Sequence, residues 1–160
     1  MADKADILTT LYTEERAQAR QAEDQRATLT NIIIIVVGAG LAFITNKGVG
    51  RSTLAVSIPM IIIGLYGAVS TAKYFERWFR HWNRAYAYQA QLFDLHPDIN
   101  EKLGAYELES VGSRKYPYER EINRRFPRLS VLKLYRLWIG FHCAVAVGGV
   151  LLTLLVLIAD

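Results

Sequence analysis

The sequence predicts an all-α fold: an integral membrane protein with three transmembrane helices and a cytoplasmic helical extension. Three observations predict it. Of the 160 residues, 52% are apolar and 21% charged, and the charge is missing altogether from three windows, Ala27–Asn46, Ser52–Ala72 and Leu137–Ala159. Each window reaches twenty residues or more, enough to cross a bilayer core of about 30 Å at about 1.5 Å per residue. Gly and Pro, which punctuate helices, are absent from Ala2–Val37 and again between Ala68 and His96. A lone strand cannot satisfy its backbone in lipid, so even the β-branched run Ile32–Val37 is read as helix. This pattern excludes an ordinary soluble domain and argues against a nucleotide-binding α/β fold.

Residues 1–28 are expected to form a cytoplasmic amphipathic helix. Strong helix formers dominate Glu14–Ala27, and Ile7, Leu8, Leu11 and Tyr12 make one apolar patch at helical spacing. This stretch is polar and mixed in charge, unlike a cleavable signal peptide, so the first apolar window is expected to be retained. Transmembrane helix one, residues 29–46, is centred on Ile32–Ile44. Asn46–Arg51, with Gly48 and Gly50, reads as the turn of a hairpin. Transmembrane helix two covers residues 53–72, and Pro59 is expected either to kink it or to mark its first turn.

The cytoplasmic helical region is residues 73–130. Helix two is expected to run on to about Leu95 and to end at Pro97. A short helix over 98–110, a loop at Gly112–Tyr116 and a helix over Pro117–Phe126 follow, the last opened by Pro117 and stopped by Pro127. Ser130 is a suitable N-cap for transmembrane helix three, residues 131–159. Two Lys/Arg, Lys47 and Arg51, mark the hairpin turn, against 13 in residues 73–136. The positive-inside bias places the N-terminus and 73–136 in the cytoplasm and the C-terminus outside.

Four constellations bear on function. Lys73, Arg77, Arg80 and Arg84 share one helical face, with Trp78, Trp82 and Tyr86 alongside. The bland account is an interfacial anchor binding anionic lipid headgroups. The sharper one is a cytoplasmic vestibule or subunit contact, with nucleic acid the weaker option. Small residues four apart allow close helix approach in lipid: Gly38 and Ala42 in helix one, Gly64, Ala68 and Ala72 in helix two, Gly140, Ala144 and Gly148 in helix three. Three helices have little surface to bury within one chain, so a homo-oligomer is expected. No Asp, Glu, Lys or Arg lies within any window, which argues against a proton pump or coupled transporter but not against a pore. Arg136 and His142, six apart, resemble the Arg/His pair of HEPN-type ribonucleases, but they sit where an anchor and a packed residue are expected.

The remaining chemistry is sparse. Glu14/Glu15 and Glu119/Glu121 read as solvated faces. Cys143, the single cysteine, excludes a disulfide within the chain and reads as a small buried hydrophobe. His81, His96 and His142 lack metal-ligand spacing. No metal, cofactor or catalytic residue is expected, and the chain is not expected to be an enzyme.

A resemblance enters at Phe75-Glu76-Arg77-Trp78. A charged helix, a transmembrane hairpin and a long helix opening with this motif resemble SLATT-type transmembrane effectors, small bacterial membrane proteins associated with defence loci. Residues 77–85, with Phe126-Pro127-Arg128 before a third apolar helix, look more like the RipA-type oligomeric inner-membrane family. The third helix departs from the two-helix SLATT order. The resemblance implies oligomeric assembly and membrane permeabilisation in antiviral defence, with no catalytic residue carried over. The expected function is a homo-oligomeric bacterial inner-membrane protein, a ring or pore. The alternatives are a non-conducting scaffold recruiting a cytoplasmic protein partner through 98–128, and a membrane-tethered RNA-acting enzyme.

Overall fold

A computed structural model describes residues 3–98 and 134–159. The described residues form three long helices: α1, Lys4–Lys47; α2, Leu54–Leu95; and α3, Leu134–Ala159. At about 1.5 Å per residue they are about 66, 63 and 39 Å long. All three are long and apolar enough to cross a membrane. α1 and α2 each outrun a bilayer core by about its own thickness, and α3 barely exceeds it.

α1 is continuous through the expected boundary between residues 1–28 and 29–46, because nothing in the sequence interrupts it. α2 likewise passes 72/73 without a break. Pro59 lies inside α2 rather than opening it; a single 3-10 turn, Arg51–Thr53, and the first residues of α2 precede it. The hairpin turn closes on itself. Gly48 takes φ +81°, the left-handed conformation that glycine adopts without a Cβ penalty, and its N–H donates to the Ile44 carbonyl at 2.8 Å. Thr53 N–H donates to Gly50 O at 2.8 Å, and Gly50 N–H donates to Thr53 Oγ1 at 3.1 Å. The short helices and loop expected over 98–130, the Ser130 cap and the start of the 131–159 segment fall outside the described residues.

Packing divides the chain into two units, Met1–Gln21 with Arg77–Lys133, and Ala22–Glu76 with Leu134–Asp160. The second unit is a three-helix bundle. Its contacts fix direction: Gly64 meets Ala146, Gly67 meets His142 and Ser57 meets Thr153, so α2 and α3 are antiparallel. Thr30 meets His142 and Arg26 meets Trp138, so α1 and α3 are parallel.

Many of the bundle's inner residues are small or polar, and many of its outer residues are large and apolar. Val156 is 2% exposed, whereas Leu155 and Leu157 on either side are 56% and 63% exposed. Ile35, Ile62, Leu151 and Ile158 are likewise outward. Such a surface is far larger than the apolar patches soluble monomers tolerate, and it suits a hydrocarbon solvent.

Candidate functional site

The inner face of the bundle is set by helix phase. Along the 3-10 turn and α2 the inward residues are Thr53, Ser57, Met60, Gly64, Gly67 and Thr71, all buried and spaced alternately four and three. On α3 His142, Ala146, Gly149 and Val156 are buried and follow the same alternation, with Thr153 half-buried in register. A repeat averaging 3.5 residues keeps one face toward the partner along the whole contact.

Close approach is made by three glycines. A Cβ added at Gly64 would stand 2.6 Å from the backbone nitrogen of Ala146 and 2.8 Å from the carbonyl oxygen of His142. One at Gly149 would stand 2.7 Å from Ser57 O and 2.9 Å from Ile61 N. One at Gly67 would stand 2.5 Å from His142 Nδ1. At Gly64 and Gly149 the neighbour is backbone, which cannot rotate away, so the absence of a side chain is what lets α2 and α3 touch.

Of the small residues picked out by four-residue spacing, only Gly64 is fully buried. Ala68 and Gly148 are half-buried, and Gly38, Ala42, Ala72, Gly140 and Ala144 face outward. Cβ atoms at Gly38 and Gly140 would meet nothing within 4 Å. Residues four apart turn about 40° around the helix at each step, so a row of fours leaves the contact after one or two. Gly67 and Gly149, which sequence reasoning missed, belong to the four-three alternation instead. That alternation was the available signal. Cys143 is exposed, not buried as expected, because its neighbour His142 occupies the inward phase.

Two polar layers interrupt the bundle's interior. In one, Thr153 Oγ1 lies 2.8 Å from Ser57 Oγ and donates to Gly149 O at 2.9 Å. In the other, one polar residue comes from each helix. Thr30 on α1, Thr71 on α2 and His142 on α3 are at most 1% exposed. Thr30 Oγ1 lies 3.3 Å from His142 Nε2 and donates to the Arg26 carbonyl at 3.0 Å. The Arg26 guanidinium stands 5.9 Å from the Trp138 ring centre. Phe75 stacks on Tyr135 at 4.0 Å, at the mouth of this end.

In the other unit α1 and α2 form an antiparallel pair that the basic and aromatic stripe helps to hold together. Glu15, expected on a solvated face, is 16% exposed; it accepts from His81 Nδ1 and lies 3.6 Å from Arg84 Nη1. Arg77 donates to Gln18 Oε1 at 3.0 Å. Trp78 stacks on Trp82 with ring centres 5.4 Å apart, and Tyr86 meets Trp82 edge-on at 5.3 Å. Arg16 covers the Trp82 face at 4.0 Å, within cation–π range. Arg80 and Arg84 are exposed. In the bundle unit, Lys73 is exposed and pairs locally with Glu76 at 2.8 Å.

Arg136 and His142 are not brought together as a pair. Arg136 is exposed and its Nε donates to Tyr135 Oη at 3.3 Å, while His142 is 0% exposed inside the bundle. An RNA phosphate cannot reach a ring so placed. No group of three or more metal-ligating side chains occurs among the described residues. Compared with protein-family models, curated proteins and solved structures, the chain matches none.

Proposed function

We propose that the chain is an inner-membrane protein that assembles with copies of itself into a ring or pore. Its N-terminus and residues 73–136 lie on the cytoplasmic side and its C-terminus outside. The observation that carries this reading is the division of labour among small residues. Gly64, Gly67 and Gly149 are consumed by packing within the chain, which leaves Gly38 and Ala42 on α1 and Gly140 and Ala144 on α3 facing outward. Outward small residues in lipid favour a second helix backbone over acyl chains. The exposed arginines of α2 and Lys73 suit anionic headgroups. A pore built from uncharged helices would gate by dewetting of an apolar constriction rather than by a charged filter. The resemblance to defence-associated membrane proteins makes antiviral defence the natural setting.

Liposome permeability tests the reading. Purified protein reconstituted at rising protein-to-lipid ratio should release an entrapped dye or potassium, with a rate steeper than linear in protein. Gly38→Leu together with Gly140→Leu should reduce release at least about tenfold while leaving the fold intact. Tight liposomes at every ratio would leave the non-conducting scaffold in its place.

A further inference from the structure

The end of the bundle at which α3 begins carries more hydrogen-bonding capacity than it satisfies. Gln25 Oε1, Thr71 Oγ1, Trp138 Nε1 and His142 Nδ1 are shielded, and none has a partner among the described residues. The register gathers all but Gln25. Arg26 lies by Trp138 and Gly67 by His142, so Thr71 and Trp138 stand at one level with His142 one turn deeper; Gln25 lies about 100° around α1 from Arg26 and does not share that face.

Counting hydrogens assigns the roles. The single Thr30 hydroxyl hydrogen goes to the Arg26 carbonyl, so toward His142 the Thr30 oxygen can only accept. A neutral His142 ring then carries its hydrogen on Nε2, and Nδ1 is an acceptor without a donor. Trp138 Nε1–H is a donor without an acceptor. The Thr71 hydroxyl can act both ways, and the Gln25 amide can offer either end. Leaving such groups buried and unpaired forfeits their hydration with nothing in return. An unmet acceptor and an unmet donor beside a hydroxyl that can play both parts are the complement of a water molecule, which donates twice and accepts twice.

We propose that this end of the bundle is a water-binding site, in which one or two ordered waters join His142 Nδ1 to Thr71 and Trp138. Buried waters ordinarily make about three such bonds. The site is a dead end. The Ser57–Thr153 layer lies about 16 Å farther along α3, and its hydroxyls are paired with each other. Between the two layers Met60, Gly64, Val145, Ala146 and Gly149 are all buried, and at Gly64 and Gly149 a side chain would collide with the opposite backbone. Water therefore reaches His142 from one side only, and a single bundle conducts nothing through its own axis.

The test is solid-state NMR on the full chain in lipid bilayers with ¹⁵N-histidine, following magnetisation from water to the imidazole nitrogens. The His142 signals are assigned by their loss in His142→Phe. Expected are a protonated Nε2 and an unprotonated Nδ1 whose water build-up is at least about threefold faster than that of the buried Met60 methyl. Thr71→Val with Trp138→Phe should slow that build-up severalfold, and Thr71→Ser should restore it. A ring as dry as Met60 would overturn the proposal, as would a protonated Nδ1 bonded directly to protein, or a build-up indifferent to Thr71 and Trp138.

Discussion

Gly67 and Gly140 look alike in the sequence, each a glycine in an apolar helix, yet they face opposite solvents. A methyl at Gly67 would drive into the His142 ring, and one at Gly140 would enter open space. Gly67→Ala should therefore cost about 1–3 kcal/mol, the usual penalty of overpacking, whereas Gly140→Ala should leave the isolated chain unchanged. Unfolding in a mixed-detergent titration, followed by helical circular dichroism, measures both. Equal effects would mean the bundle is packed on another face. Glu15 makes the same point for charge. The adjacent Glu14 and Glu15 are indistinguishable by composition, but only Glu15 faces His81 and Arg84 across the helix pair. Arg84 is 57% exposed, so solvent screens that arm and the pair is worth under about 1 kcal/mol. Glu15→Gln should weaken the α1–α2 contact measurably only through His81. A double-mutant cycle with His81→Gln should show coupling several times that with Arg84→Gln.

At the scale of elements, the helices were legible in the sequence and their faces were not. Charge-free windows and the absence of Gly and Pro predict where α1, α2 and α3 lie, because backbone satisfaction in lipid leaves a long apolar run no alternative to helix. Which side of a helix meets its neighbour depends on phase, and small residues occur on both sides. The row Gly64, Ala68, Ala72 begins in the interface and rotates out of it. Ser57, Gly67 and Thr71 stay in it, and polar side chains inside a membrane bundle do not announce themselves by composition. The Ser57–Thr153 pairing tests the antiparallel register directly. In a Cys143→Ala background, Ser57→Cys with Thr153→Cys should form an intrachain disulfide under mild oxidation, since the parent oxygens are 2.8 Å apart. Shifting one partner by two residues, to Leu155→Cys, should abolish it, because that side chain faces outward.

At the largest scale, the unit of Ala22–Glu76 and Leu134–Asp160 is a helical bundle wrapped in apolar side chains, with a polar layer toward each end of its interior. Each of these features suits a membrane, and none of them requires a catalytic centre. On the outside of the bundle, Gly38, Ala42, Gly140 and Ala144 offer backbone to whatever packs there. The proposed ring requires several copies to pack there and enclose a pore. It is tested most directly by the native mass of the protein in lipid nanodiscs or detergent, determined by light scattering with the lipid or detergent contribution subtracted. A single discrete mass of several chains, falling toward one chain in Gly38→Leu with Gly140→Leu, is the result expected. A monomer or dimer at all concentrations would contradict it, since so few helices cannot enclose a pore.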